Sequence, residues 1–364
     1  MLTRVVRNSR VVAPIVTWRD GVHLTHTSIW CDSVRRRDVC FVSWSDRIGA
    51  MAHGQLIATP ITLAMVALRH RKNFAGHLAV PVRRPFTLGT LRLELIPSGR
   101  GMGAAALHVD ARGRTVLYAG AIRTASSPRG CGAAEVRAAD TVVVAAPVGE
   151  RHHRFEPLEN VAGAVVDWVR SHLANGNSPV LVVDTALDGV EVAQYLTTEV
   201  PIAGSPAVRI AAKQLANFEP SPVIPVPGKT PAAMICVVGE RTSSVGKVVR
   251  ALVSARSVDL LPHSLLGSAV TLATLGNPRR GTEGKSLPRD EAGSNEFAAA
   301  FAWPFVAGRD QLLAWIEQTR ARRVFVTGAH AETIVAALGD KAQKLGPPQQ
   351  MALFSTPQMG LGDD

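Results

Sequence analysis

The stretch HGQLIATPITLAMVALR, residues 53–69, carries the local signal from which the fold of this chain can be worked out. Pro60 stands where the first turn of a helix tolerates a residue without a backbone N–H. The aliphatic residues that follow it over 61–71 recur at helical spacing. Residues 61–71 are therefore predicted to form a helix.

Strand-like runs of β-branched and aliphatic residues occur on both sides of this helix. They lie at 39–43, 91–96, 115–118, 141–145, 180–183, 233–238 and 324–327. Two more helical patterns cover 161–173 and 309–319. Strands that alternate with helices predict an α/β or layered αββα protein. The segment 276–295, rich in Gly, Pro and charge, is predicted to be a loop or a partly disordered linker.

The charge of the chain favours a polyanionic partner. Lys and Arg number 40 against 29 acidic residues, which gives a formal charge of +11 and a pI of about 10.2. Such a surplus can neutralise phosphates and release counterions from DNA or RNA. A basic cytosolic protein without such a partner remains open. The hydrophobic fraction of 46% and the mean hydropathy of +0.13 exclude disorder throughout.

The cysteines and the N-terminal residues indicate a reducing, cytoplasmic environment. No C-x-x-C pair is present, so neither a zinc knuckle nor a disulfide framework is expected. The residues concerned are Cys31, Cys40, Cys131 and Cys236. The N-terminal stretch is a poor signal peptide because Arg10 and Pro14 interrupt it. No apolar run reaches the roughly 18 residues of a membrane span, so no membrane partner is expected.

The order of several sequence segments along the chain allows a comparison with a known protein family. Asp32 precedes VCFVSWSDR (39–47), and the segments after 53–69 are IPSGRGMGAAAL (96–107), VLYAGAIR (116–123), VVVAAPVG (142–149), FAWPFVAGRDQLLAWI (301–316) and RRVFVTGAHAE (322–332). This order resembles the bacterial β-CASP nucleases of the metallo-β-lactamase fold, particularly the ligase-associated DNA exonuclease type, which are related to mRNA 3′-end processing factors. The resemblance covers residues 15–340 and is weakest over 160–295.

The resemblance implies a metallo-β-lactamase αββα sandwich with an inserted β-CASP-like α/β lobe. The first part of the sandwich would cover 1–155. The insert would cover 156–295 and end in the flexible loop 276–295. Residues 296–340 would return to the sandwich, and 341–364 would form a flexible tail.

The metal ligands of that family are missing. A two-zinc hydrolase needs imidazoles and a bridging carboxylate. The positions that match the family's ligands hold Val42, Trp44, Asp46, Arg47, Arg100, Ala121, Ala145, Phe305, Val306 and Gly328. Only Asp32 and Asp46 remain carboxylates, as vestiges, and the two arginines would repel cations. A pseudo-enzyme with no metal, no cofactor and no catalytic residue is therefore expected.

Arginines are the predicted nucleic-acid contacts. Arg35, Arg36 and Arg37 form a basic run, and Arg47 and Arg100 should lie at the floor of the former metal cleft. Two interpretations of the cleft remain open. The guanidinium groups could hold a phosphate. Alternatively, the cleft has filled in, and Arg47 and Arg100 pair with Asp32 and Asp46.

Each of the histidines is expected to be a surface residue or a satisfied core residue and not a metal ligand. His152 and His153 are adjacent and predicted to lie in a solvated turn, and His330 is predicted to lack partners for a metal. The loop-like segment GERTSSVGK (239–247) is predicted to be a turn rather than a phosphate loop. The segment DTALDG (184–189) is interpreted as a replaced nucleic-acid contact.

The tail contains a short peptide of a recognisable type. Gln350, Met351, Leu353 and Phe354 belong to QMALF, which resembles the Q-x-x-L-F peptide that binds the bacterial sliding clamp. Leu353 and Phe354 would fill an apolar pocket while Gln350 fixes the register. Docking of these residues on the protein's own surface is the alternative.

Two classes of function follow from the sequence. The first is a catalytically inactive pseudo-nuclease, a nucleic-acid-binding or scaffold subunit in bacterial DNA repair, recruited to the sliding clamp and working beside other repair proteins. The second is an active DNA or RNA exonuclease with a non-standard metal site. The choice between DNA and RNA stays open.

Overall fold

The computed structural model describes residues 16–47, 53–70, 76–126, 132–240, 247–259, 270–271 and 297–347. The strands in these residues are β1 (Val16–Trp18), β2 (Val22–Leu24), β3 (Ile29–Cys31), β4 (Val39–Phe41), β5 (Gln55–Ala58), β6 (His77–Ala79), β7 (Phe86–Leu88), β8 (Leu91–Pro97), β9 (Ala105–Asp110), β10 (Thr115–Gly120), β11 (Thr141–Ala145), β12 (Ser178–Val183), β13 (Ile202–Gly204), β14 (Ala233–Val237), β15 (Val248–Ser254), β16 (Val270–Thr271), β17 (Ala299–Ala302), β18 (Arg323–Thr327) and β19 (Ala342–Lys344). The helices are α1 (Pro60–His70), α2 (Leu158–Ala174), α3 (Ala186–Leu196), α4 (Pro206–Leu215), α5 (Arg309–Gln318) and α6 (Ala331–Leu338).

The strands form three sheets. The first sheet has the order β1-β2-β3-β4-β5-β6, and the second has the order β19-β18-β11-β10-β9-β8-β7. The third has the order β13-β14-β12-β15-β17-β16. All neighbours in the third sheet are parallel except β16 and β17. The described part of the chain is therefore a mixed α/β protein, as the sequence predicts.

The first two sheets pack face to face, with helices on their outer sides. Alternation along β11 shows how, because successive side chains of a strand point to opposite faces. Val143 lies in the core between the two sheets, whereas Val142 and Val144 face a core that includes Leu312 of α5 and Ile334 of α6. On the first sheet, α1 covers the outer face. The result is four layers in the order helix, sheet, sheet, helices.

The third sheet is inserted between two neighbouring strands of the second. The chain leaves the second sheet after β11 and returns at β18, which pairs in parallel with β11 so that Ala145 lies opposite Thr327. The intervening chain builds the third sheet together with α2, α3 and α4. Thr185 caps α3 by accepting a hydrogen bond from the Asp188 N–H, which starts this helix directly after β12.

The predicted elements occur where the sequence indicates them. Strand bounds differ by one or two residues, and β11 matches its prediction of 141–145. Two strands lie outside the segments in which the domain boundaries would place them. β17 pairs with β15, so it belongs to the third sheet although it follows residue 296. β19 pairs with β18 inside the segment 341–364 that was expected to be flexible, because Ala342 packs into the core beneath α5 and α6. The predicted loop 276–295 lies outside the described residues.

Among the residues that the structure describes, no helix is both long and apolar enough to cross a membrane.

Candidate functional site

The positions that the resemblance assigns to metal ligands are largely occupied by packed apolar side chains. Trp44, Phe305 and Val306 are buried in one apolar cluster, and Ala121 packs against it. Val42 belongs to a different cluster and packs beneath α1. None of these side chains offers a lone pair suited to a divalent ion. This packed region lies between the second and third sheets and is called the filled cleft below, because the resemblance places the metal cleft here.

Arg100 lies inside this filled cleft and is fully paired. Its guanidinium stacks over the Trp44 ring, 4.1 Å from the ring centre. Its Nη1 and Nη2 donate to the two Asp188 carboxylate oxygens at 2.8 and 3.2 Å. The partner of Arg100 is thus a residue of α3, and the alternative that paired it with Asp32 or Asp46 is wrong. Burial opposes the charge of Arg100, but the Asp188 carboxylate outweighs burial and raises the pKa of Arg100.

A second buried pair lies one helical turn along α3. Arg123 Nη1 lies 2.6 Å from Glu191 Oε1, and the side chains are only 2% and 5% exposed. The Trp303 indole N–H donates to the same oxygen at 3.1 Å. Asp188 and Glu191 are three residues apart, so they share one face of the helix. Nε and Nη2 of Arg123 have no hydrogen-bond partner in the part of the chain that the structure describes.

A third carboxylate, Asp184, directly follows β12 and lies shortly before α3. It accepts hydrogen bonds from the Ser254 hydroxyl and from Arg256. The segment 184–191 thus supplies three carboxylates that pair with arginines. Two of these arginines, Arg100 and Arg123, come from the part of the chain that builds the second sheet, so the ion pairs tie that part to the third sheet.

Asp32, one of the two carboxylates that the resemblance assigns to ligand positions, holds strand ends together through hydrogen bonds. Its oxygens accept hydrogen bonds from the Ser43 N–H at 2.8 Å, from the Ser43 hydroxyl at 2.5 Å and from the Tyr118 hydroxyl at 2.8 Å. Arg47 lies 4.0 Å away and is half exposed. Burial raises the pKa of Asp32, although Arg47 and the Ser43 and Tyr118 hydrogen bonds oppose this. The carboxyl group ties together the ends of β3, β4 and β10.

Asp46, the other carboxylate that the resemblance assigns to a ligand position, lies beside the hydroxyl of Ser45, whose Oγ is 3.4 Å from Asp46 Oδ2.

The described cysteines are not suited to act as catalytic nucleophiles. Cys31, Cys40 and Cys236 are buried, and burial raises the pKa of Cys40 to about 12, so its thiol stays protonated near neutrality. Cys131 lies outside the described residues.

Two of the three histidines named in the sequence analysis, His153 and His330, are buried. His153 is 1% exposed and His330 is 6% exposed, with ring centres 4.8 Å apart. They meet because His153 follows β11 and His330 follows β18, and the carboxyl ends of parallel neighbours lie at one edge of a sheet. Asp259, which follows β15 of the third sheet, joins them. The prediction that His153 lies in a solvated turn is therefore wrong.

This cluster has the composition of a metal site, because one ligand atom from each of His153, Asp259 and His330 lies within 4.8 Å of the others. Its hydrogen bonds suit a metal less well. Nδ1 of His153 accepts from the N–H groups of Gly149 at 2.9 Å and Glu150 at 3.1 Å. The proton of the neutral ring is then on Nε2, the atom 2.8 Å from Asp259. A protonated nitrogen has no lone pair for a metal.

His330 is held from its other side. Its Nδ1 lies 3.2 Å from the Glu150 carboxylate, which also accepts a hydrogen bond from Thr333. These two hydrogen bonds lower the pKa of Glu150. The prediction that His330 has no possible metal-binding partners nearby is wrong, since His153 and Asp259 lie beside it and its Nε2 is 3.8 Å from Asp259. The four side chains form a network that links β11, β18 and the third sheet.

The predicted nucleic-acid contacts do not form one surface with Arg100. Arg35 is 73% exposed and lies 3.1 Å from Asp20, and Arg36 is also exposed. Arg37 stacks over the Trp30 ring at 3.6 Å and donates to the Ser33 hydroxyl, which gives it a structural role. The predicted clamp-binding residues Gln350, Met351, Leu353 and Phe354 lie outside the described residues.

Comparison with known proteins adds no family to this picture. No protein-family model matches the chain, and no curated protein matches it. What the structure shows is an α/β chain in which a third sheet is inserted between two strands of a two-sheet sandwich and tied to it by buried ion pairs.

Proposed function

We propose that this chain is a catalytically inactive member of the metallo-β-lactamase/β-CASP group that acts as a nucleic-acid-binding or scaffold subunit in bacterial DNA repair, in the cytoplasm. The layer order of helix, sheet, sheet and helices supports this proposal. So does the insertion of the third sheet between β11 and β18, since an inserted α/β lobe is what the resemblance implies.

The filled cleft is the observation that carries the proposal. Hydrolysis by a metal pair needs nitrogen and oxygen ligands and room for a water and a phosphate. Here Trp44 and Phe305 occupy that region with buried rings, and the Arg100–Asp188 pair crosses it. Because its charge is already paired, Arg100 is not available for a phosphate. Binding at another surface is the function that such a chain keeps.

A nuclease with a non-standard metal site is the second candidate, and the His153–Asp259–His330 cluster is the observation that favours it. His330 fits the role of a ligand because its Nδ1 faces Glu150, an arrangement that orients metal-bound histidines. His153 does not fit, since two backbone N–H groups point at its Nδ1. The first candidate is therefore preferred.

Elemental analysis and a nuclease assay separate these candidates. We expect the purified chain, incubated with zinc or manganese and then desalted, to retain no stoichiometric metal. We also expect no chelator-sensitive cleavage of single- or double-stranded DNA or RNA. The matched control is His330→Ala, because it removes the best-oriented nitrogen. Bound metal and cleavage that both disappear in His330→Ala would establish the second candidate instead.

The tail peptide QMALF (350–354) is the second part of the proposal. We propose that Gln350, Met351, Leu353 and Phe354 dock on the sliding clamp. A short peptide that orders only on binding must recover about 1–2 kcal/mol per residue, so we expect roughly micromolar affinity. Replacing Leu353 and Phe354 by alanine removes both apolar anchors and should abolish binding in a titration with clamp, while Ala352→Ser should retain it. Equal affinity for all three forms would remove this role from the tail.

A further inference from the structure

One edge of the second sheet gathers strand ends from four segments of the chain. β18, β11 and β10 run parallel, so their first residues lie at the same edge. β9 is antiparallel to β10, which brings the turn between them to that edge. β8 is antiparallel to β9 and therefore starts there too. This edge is opposite the one from which the chain enters the filled cleft after β10 and β11.

The edge is rich in arginine. Arg112 and Arg114 lie in the β9–β10 turn, Arg92 is the second residue of β8, and the others precede or begin β18. We refer to the six exposed side chains as the arginine edge: Arg92, Arg112, Arg114, Arg320, Arg322 and Arg323.

Backbone contacts show that these residues are close in space. The N–H groups of Arg322 and Arg323 donate to the Asp140 carbonyl at 3.0 and 3.2 Å. Asp140 precedes β11, and its carboxylate accepts from Thr115 at the start of β10. The Thr115 hydrogen bonds lower the pKa of Asp140, and the charges of Arg322 and Arg114 lower it further. The β9–β10 turn and the start of β18 therefore flank one carboxylate.

The arginine edge has few counter-charges. The acidic residues beside its own strands are Asp110, Asp140 and Glu317, and the first two already accept backbone N–H groups. Asp340 and Lys341, which precede the neighbouring strand β19 at the same edge, add one charge of each sign. In the described ranges, none of its six arginines forms an ion pair, whereas Arg35, Arg83, Arg137 and Arg170 each do. Six positive groups against three negative ones leave a surplus that faces solvent.

We propose that the arginine edge binds the phosphate backbone of double-stranded nucleic acid. Guanidinium groups bind phosphate oxygens in a bidentate manner. Four strand intervals of about 4.8 Å separate β8 from β18, so the row spans about 19 Å, or five to six steps of a duplex strand at about 3.4 Å each. The proposal rests on the proposed nucleic-acid-binding function and moves it from the cleft to the opposite edge.

Duplex is favoured over single strands because the arginine edge lacks a stacking platform. Proteins that bind single strands use exposed aromatic rings on which successive bases stack. Among the described residues, the exposed large aromatic side chain is Phe218, which follows α4 on the third sheet. Contacts to backbone phosphates alone predict binding that depends strongly on salt and little on sequence.

The experiment compares two triple variants of the full chain. Arg112→Ala, Arg114→Ala and Arg322→Ala are combined in the edge variant. Arg19→Ala, Arg84→Ala and Arg151→Ala are combined in the control, which removes the same number of exposed arginines elsewhere. Affinity for one duplex and for its single strand is measured over a series of salt concentrations. Unfolding midpoints of all forms are recorded to exclude a folding defect.

We expect the edge variant to bind the duplex at least about tenfold more weakly. The slope of log affinity against log salt is negative, and it should become less negative by about three, one for each lost phosphate contact. The control should keep the slope of the unmodified chain. A loss confined to the control variant would overturn the arginine edge but leave nucleic-acid binding intact. Tighter binding to the single strand, or equal binding to an acidic peptide, would overturn the duplex as partner. No binding of any nucleic acid by the unmodified chain would overturn the proposed function as well.

Discussion

Glu191→Ala is expected to lower the free energy of unfolding by about 3–5 kcal/mol, because it leaves a buried guanidinium without its counter-charge. Arg123 is 2% exposed and cannot turn to solvent without breaking the packing around it. The Trp303 N–H loses its acceptor at the same time. Denaturant unfolding of the two forms at neutral pH measures the difference.

Glu199→Ala is the matched control for this prediction. Glu199 pairs with Arg170 at 3.0 Å near the end of the same helix, but both side chains are about half exposed, so its loss should cost less than about 1 kcal/mol. Glu191→Gln should lie between the two, since an amide oxygen still accepts from Trp303 but carries no charge for Arg123. Equal losses of unfolding free energy for Glu191→Ala and Glu199→Ala would show that the buried pair stabilises the protein no more than an exposed pair does.

The sequence predicts elements well where a strand is buried on both faces. In β11 and β18 the apolar runs VVVA and VFVT are unbroken, so both faces of each strand are apolar. Such a run, rich in β-branched residues, predicts a buried strand without any polar alternation. The three-residue strands β1, β2 and β3 are not predicted, because they are too short for a periodic signal. Their stability comes from pairing with one another and from burial of Leu24 and Ile29.

The site is harder to predict because its partners are distant in the chain. Charged residues in a helix are normally taken to face solvent. In α3, Asp188 and Glu191 face inward because they pair with Arg100 and Arg123. These arginines precede their partners by 88 and 68 residues in the sequence. No spacing rule links such positions, so the sequence indicates that ligand residues are missing but not what replaces them.

The same reason explains the histidine network. The pattern around His152 and His153 resembles a solvated turn because the groups that bury His153 are supplied by other segments. His330 contacts Glu150 across 180 residues, and Asp259 follows β15 of the third sheet. A prediction from adjacent residues therefore assigns His153 and His330 the wrong environment.

The Arg100–Asp188 pair should show strong energetic coupling, because both of its members are desolvated. Asp188→Ala is expected to cost about 3–5 kcal/mol, since Arg100 then remains as an unpaired charge in the filled cleft. Arg100→Ala should cost less, because burial raises the pKa of Asp188 and its carboxyl can take up a proton once the Arg100 charge that opposes this is gone. The double variant removes both charges and should cost clearly less than the two single losses together.

A double-mutant cycle by denaturant unfolding measures this coupling, which we expect to be about 1–3 kcal/mol. Arg154 and Asp310 provide the control cycle, because they form a pair at 3.5 Å in which both side chains are more than half exposed, so their coupling should be below about 1 kcal/mol. If the Arg100–Asp188 coupling were no larger than this control, the pair would not hold the cleft closed. Phosphate binding by Arg100, the alternative that the sequence left open, would then regain support.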